Sequence, residues 1–254
     1  MGSAGRSLCR GPESIYGNPA LLVPGFTASG GRWNLGTSAV SAAGGFSAGG
    51  SLTAGASLVY LGRGGLLRRD DSGMVTGEYS YSTGAALLGV SSQVLPWLRV
   101  GGSAGVSWEN IDSDAGTGVA ASAGVAAEVG TSGMAGLTVT GLGKPPEWNG
   151  VTKAMPVEVS AGGSWELSRY LVLFGGTTIG FSTASSLAGG FSLSLSELDL
   201  TAGYDLTVGE DETTGFFAGL AYTYSSGGTY IIEMAVSQRH NTDWPVLGGV
   251  SIRL

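Results

Sequence analysis

The sequence predicts an all-β protein, an antiparallel transmembrane β-barrel of about fourteen strands, with twelve as the alternative count. Three observations carry that expectation: a glycine-rich, charge-poor composition, alternation of apolar and polar residues along most of the chain, and strands longer than soluble sheets use. Of 254 residues, 47 are glycine, only 12% are charged and 43% are apolar. Glycine costs about 1 kcal/mol per helix-interior position relative to alanine, which excludes a mainly helical chain. Collagen needs glycine at every third position, a rule that YLVLF and ELDLTAGYDLTV break. The apolar share is too high for a disordered tail.

The first residues do not alternate. They read GRSLCRGPESIYGNPALLVPG, a Gly/Pro-rich stretch, and divide the chain into an N-terminal segment over 1–31 and a strand-bearing region over 32–254. Asn-Pro favours a turn and proline fixes φ, so Asn18-Pro19 makes a rigid corner.

Beyond it, the period is two. Leu98, Val100, Gly102, Ala104, Val106 and Trp108 fall on one face, opposed by Arg99, Gly101, Ser103, Gly105, Ser107 and Glu109. Val157 to Leu167 repeats the pattern, as do Ile232, Met234 and Val236, and then Val250, Ile252 and Leu254. In FSLSLSELDLTAGYDLTV the apolar set moves from odd to even numbers. A continuous strand would turn one half to the wrong face, so a tight turn is predicted at Ser196-Glu197. Further turns are punctuated at 110–116, 130–133, 209–215 and 225–228. The resulting strands cover 33–43, 50–61, 73–80, 82–94, 98–110, 118–129, 134–143, 154–166, 170–182, 187–196, 197–208, 214–225, 229–240 and 246–254. Most reach the ~9–11 residues a tilted membrane strand needs, whereas soluble strands average only ~5–6.

Charge placement agrees with a barrel. Arg99, Glu109, Glu158, Glu166, Asp199, Asp205, Glu233 and Arg253 all lie opposite the apolar set, and are expected to face the lumen. On the lipid face an Arg or Lys at mid-bilayer would cost up to about 2–4 kcal/mol. Trp97, Trp108, Trp165, Tyr170, Tyr222, Tyr224 and Trp244 near strand ends suit interfacial girdles. The uncharged windows 79–98 and 170–196 are studded with Gly, Ser and Thr and lack the sustained apolar run of a membrane helix. Many outward positions hold only Ala or Gly, and those faces meet either lipid or another protein.

Catalysis has little to stand on, and no enzyme is expected. His240 is the only histidine and sits among turn residues, so a triad lacks its base. A single cysteine, Cys9, forms no internal disulfide, and no Cys/His set has metal-ligand spacing. Asp70-Asp71 and Glu210-Asp211-Glu212 read as solvated loop charges, because adjacent residues of an extended chain point to opposite faces. No cofactor, catalytic residue or metal ligand is assigned. The net charge is −7 and no basic cluster exceeds Arg68-Arg69, which excludes nucleic acid as a partner. The opening MGSAGRSLCRG lacks both the basic and the apolar region of a secretory signal. An exported barrel is therefore expected here as its processed form or from a later start.

The run Ser14-Ile15-Tyr16-Gly17-Asn18-Pro19-Ala20-Leu21-Leu22 resembles the NPAG segment that opens FadL-type outer-membrane barrels, and more so the PorV/PorQ family of that superfamily. GLLRRDDSGMVTGEYSYSTGAALLGVSSQVLPWLRVGGSAGVSW is similar to that family's long hairpin and the strand pair after it. GLTVTGLGKPPEWNGVTKAMPVEVSAGGSWEL and the closing GGVSIRL are similar to its later strands. The departures are Leu21-Leu22 in place of Gly-Leu, short loops, and Leu254 where such barrels end in an aromatic residue. The resemblance implies that the N-terminal segment folds inside the barrel as a hatch or plug, with Tyr16, Asn18, Pro19 and Ala20 as its motif. It implies a bacterial outer-membrane location, with membrane lipid as a partner. It also implies a function: a docking or shuttle component of type IX-like protein secretion, whose partners are secreted cargo or other secretion proteins. The wider FadL likeness gives the alternative, a passive channel for hydrophobic small molecules. A continuous apolar lumen favours passage; a polar, blocked one favours docking.

Overall fold

The computed structural model describes residues 7–33, 36–148, 151–152, 155–208, 213–226, 228–239 and 245–253. His240, Trp244 and the Glu210–Glu212 run lie outside the described residues. Alternating sequence becomes long antiparallel strands: β1 (Gly25–Arg32), β2 (Ser38–Gly49), β3 (Leu52–Arg69), β4 (Val75–Leu95), β5 (Leu98–Ile111), β6 (Asp114–Val129) and β7 (Gly133–Lys144). After a loop carrying the two-residue strands β8 (Glu147–Trp148) and β9 (Val151–Thr152) come β10 (Glu158–Ser168), β11 (Leu171–Gly180) and β12 (Ser185–Leu195). The chain closes with β13 (Leu198–Val208), β14 (Thr213–Ser225), β15 (Thr229–Arg239) and β16 (Val246–Arg253). Fourteen of these form a closed barrel, in which β1 pairs with β16 and β7 with β10; β8 and β9 pair only with each other. Closure leaves no strand edge for hydrocarbon to strand unbonded.

The strand count agrees with the sequence, but two memberships differ. The sequence puts residues 25–31 in the N-terminal segment, whereas Gly25–Arg32 is β1 and pairs on both sides, so the barrel starts at Gly25. The stretch GFTASGGR holds one large apolar residue, Phe26, too few to display a period. Conversely, 73–80 and 82–94 are one strand, β4. Its partner β5 ends opposite Tyr81, and β2 ends opposite Gly62 of β3. Beyond those points β3 and β4 project as a free two-stranded ribbon. A strand that has left the membrane no longer has a lipid side, so its apolar phase change mimics a turn. The change at Ser196-Glu197 is a true turn: Leu195 pairs with Leu198, and Ser196 takes φ 58°.

Cross-strand partners share a face, so the register fixes which side meets lipid. Phe26, Leu58, Leu88, Val106, Leu173, Phe191, Phe216 and Ile232 are exposed on the outside. Over β10–β16 this belt is bulky, whereas over β1–β6 it thins to Ala28, Ala42, Gly44, Ala56, Gly102 and Ala121. Aromatic residues gather at the rim that carries both termini of the barrel wall. Trp97, Trp165, Tyr170, Tyr222 and Tyr224 are all exposed there, with Arg169 placed 4.4 Å over the Tyr170 ring. Trp108 stands toward the opposite rim, paired with Gly84. No helix among the described residues is long and apolar enough to cross a membrane.

Candidate functional site: the lumen

Residues 7–24 pass along the inner wall of β2–β7. Two 3₁₀ turns shape them, Pro12–Tyr16 and Pro19–Leu21, each with proline at its start. Asn18 caps the second turn: its Oδ1 accepts from the Ala20 N–H at 3.1 Å. Its Nδ2 donates to the carbonyls of Ser7 (3.1 Å) and Val125 (3.0 Å). The Tyr16 hydroxyl donates to the carbonyls of Ala42 (3.1 Å) and Leu58. Pro19 and Ala20 are buried, and the Ala20 carbonyl accepts from Ser91 Oγ (2.8 Å) and Arg99 Nε (3.0 Å). Ser103 and Thr138 reach the carbonyls of Ile15 (3.1 Å) and Gly17 (2.9 Å). Ile15 and Leu22 are fully buried against Leu87.

The wall leaves room because its inward positions here are glycine. A Cβ on Gly101 would overlap the backbone of Pro19 and Ala20, and one on Gly124 would overlap the Asn18 amide. At Gly136 and Gly162 it would strike Ser7, and at Gly55 and Gly89 it would come within 3.1 Å of Ile15.

On the other side of the lumen, β10–β16 and β1 enclose a cavity of about 930 Å³. Its lining mixes hydroxyl groups with carboxylates from Glu13, Glu158, Asp199, Asp205 and Glu233. Among the described residues lining it, Arg253 supplies the cation, and its guanidinium also donates to the Arg10 carbonyl at 3.4 Å. Asp199 and Glu233 pair with the same residue, Ala221, from opposite sides. Asp205 is buried and pairs with Gly215. Phe217 stands inward one row from Asp205, over Gly203, and stacks on Phe174 with ring centroids 6.2 Å apart.

The eight charges singled out in the sequence thus separate into groups. Glu158, Asp199, Asp205, Glu233 and Arg253 line the cavity, with Thr183 donating to Glu158 at 3.2 Å. Arg99 holds the N-terminal segment instead, through Ala20, Leu22 and Ser91. Glu109 sits beside Tyr81 near the rim that bears the ribbon. Glu166 is exposed at the opposite rim, away from the cavity. Sequence reasoning passed over Glu13, Phe174 and Phe217. A signal for Phe217 exists: in Phe216-Phe217 two adjacent aromatics point to opposite faces, so one of them faces the lumen.

No family model and no curated protein matches the sequence. Solved structures do match its fold. The CymD monoaromatic hydrocarbon channel is similar with TM-score 0.74 and 11% identity over 98% of this chain and 94% of that one. The Pseudomonas putida toluene transporter TodX is similar with TM-score 0.72 and 11% identity, covering 99% and 97%. A Pseudomonas aeruginosa FadL homologue gives TM-score 0.64 and 10% identity over 99% and 96%. The fold is therefore that of FadL-type barrels. The narrower PorV/PorQ likeness and the docking-and-shuttle reading draw no support from these structures.

Proposed function

We propose that the protein is a passive channel for small, largely apolar molecules in the bacterial outer membrane, and not an enzyme. The observation that carries this reading is the cavity of about 930 Å³ left beside the N-terminal segment within a closed wall. That volume falls at the upper end of the ~300–1,000 Å³ range of small-molecule sites. The outward belt is apolar and the charges point inward or sit at the rims, which suits a bilayer outside and solute within. The turns 50–51, 96–97, 169–170 and 196–197, at the rim opposite the ribbon, are short, which supports a periplasmic rim there and a ribbon outside the cell. The N-terminal segment gates the lumen. The polar lining by itself leans toward docking; the fold similarity to channels titled for monoaromatic hydrocarbons and toluene is what supports passage instead.

The test is uptake of labelled toluene by bacterial cells that carry or lack the protein in their outer membrane. Faster uptake in the carrying cells is expected. A rate equal to that of cells without the protein would argue against a channel.

A further inference from the structure

A bare hydrocarbon seated against hydroxyls and carboxylates strips their water and offers no bond in return. The polar part of the lining therefore suits another solute. Toward the rim of short turns the wall holds a hollow, floored by Gly219 and Ala221 of β14. A Cβ added at Gly219 would meet nothing closer than 3.5 Å, so the floor stands open. Thr201 and Asp199 of β13 pair with these two residues on one side, and Glu233 of β15 pairs with Ala221 on the other. Neighbouring strands lie about 4.8 Å apart, so the backbones of Asp199 and Glu233 stand roughly 10 Å apart across the floor. Thr201 lies about 7 Å along β13 from Asp199. It donates to Ser192 of β12 at 3.1 Å, which leaves the Ser192 hydroxyl its own proton to give. Glu233 is exposed to the cavity, and Ser192, Asp199 and Thr201 are half-buried. The hollow thus offers two carboxylates that accept, a hydroxyl pair that gives and accepts, and a small apolar floor between them. A matching solute carries hydroxyls around its edge and C–H groups on its faces. Hydroxyls donating to carboxylates make charge-assisted bonds, about twice as strong as neutral ones. Arg253 brings positive charge to the same inner face, four residues beyond Gly249, the β16 partner of Glu233, which favours a neutral solute over a cation.

We propose that this hollow is a binding subsite for neutral cyclic polyols of monosaccharide size, a second class of solute for the lumen beside apolar molecules. It goes beyond the channel reading and stands on its own residues. Asp199 and Glu233 accept from hydroxyls at opposite edges of the ring, Ser192 and Thr201 bond a third, and Gly219 and Ala221 receive its C–H face.

Planar-bilayer recording from the purified protein tests it, with ion current measured as methyl glucoside is added. Saturable block is expected, half complete at roughly 10 mM, the affinity that a few hydrogen bonds made in water supply. Methyl tetra-O-methylglucoside, the same ring with its hydroxyls capped, should not block at that concentration. Asp199→Ala removes an acceptor and Gly219→Val fills the floor, so each should raise the half-blocking concentration about tenfold. Equal block by the capped ring, or none by the glucoside, would overturn the subsite and leave toluene uptake, and with it the channel, standing. Block by tetramethylammonium in place of the glucoside would overturn it as well, by making the hollow a cation site. Saturation-transfer NMR between the protein in detergent and the glucoside reads the same contact without a current. Transfer beside a silent bilayer would support the subsite while counting against an open channel, and absence of transfer would overturn the subsite. The wild-type measurements decide the matter even if a variant fails to assemble.

Discussion

The Asn18 amide holds three backbone groups at once: the Ala20 N–H and the carbonyls of Ser7 and Val125. Asn18→Ala leaves all three unbonded in a buried site and should weaken anchoring by about 3 kcal/mol. Limited proteolysis should then cut the N-terminal segment while the barrel survives; a segment as resistant as wild type would show the amide to be dispensable. Glycine positions make the converse prediction. Gly101→Val places a side chain where Pro19 and Ala20 now lie, so it too should release the segment, seen as faster proteolysis. Cys9 offers a chemical probe of the same region. Desolvation, then the Glu13 carboxylate that accepts its hydrogen bond at 3.2 Å, push its thiol well above the ordinary range. The thiol is therefore protonated at pH 8, and iodoacetamide should label it slowly until the protein is boiled in detergent. Much of this was legible at the residue scale, since Asn18-Pro19 announces a rigid corner. Arg99 was not. Inward parity shows that it leaves the lipid face, but whether it meets solute or the segment depends on residues 79 positions away.

At the scale of elements, alternation reads well wherever one side meets lipid and the other does not. Strands β5, β13 and β15 appear in the sequence to within two residues of their ends because each spans that boundary throughout. Where the boundary is missing, the rule fails: β1 is too glycine-rich to show a phase, and β4 runs beyond the membrane. Among the described residues, the ribbon of β3 and β4 beyond Arg63 and Tyr81 pairs with itself and meets the β5–β6 turn through the exposed Arg68–Asp112 ion pair and the Asp112 N–H that donates to the Ser80 carbonyl at 2.8 Å. Exposed pairs contribute at most about 1 kcal/mol. Replacing residues 65–79 with a short Asn-Gly turn should therefore leave the heat-shifted gel band of the folded barrel intact; its loss would mean that the ribbon guides assembly. The tip of the ribbon has its own pH dependence. The Ser72 hydroxyl, and the N–H groups of Met74 and Ser72, hold the Asp70 carboxyl below its usual value. A depressed carboxylate gives stability that is present above its unfolded value, about 3.9, and lost as pH falls through the folded one. The protection of amides 70–74 relative to their intrinsic exchange rate at each pH should be high at neutral pH and fall only in stronger acid, and Asp70→Ala should lower it throughout.

Over the whole molecule, the glycine excess serves two ends that the sequence does not separate by itself. On the inner wall of β2–β7 glycines seat the N-terminal segment, and on β12 and β13 Gly190 and Gly203 leave the space that the Phe174 and Phe217 rings occupy. The wall and the segment are mechanically distinct. Every ladder of the barrel runs between strands from Gly25 to Arg253, and the β1–β16 seam closes without residues 7–24. The segment adds buried apolar side chains, chiefly Ile15, Leu21 and Leu22, which at roughly 1.5–3 kcal/mol each amount to a substantial but local contribution. Removing residues 7–22 should therefore give a folded barrel with a wider lumen, not an unfolded chain. Planar-bilayer recordings should show a conductance severalfold above that of the intact protein, with the heat-shifted band retained. An unchanged conductance would mean that the constriction lies elsewhere. Loss of the folded band would make the segment part of the core on which the wall assembles, and would replace a gate with a folding nucleus.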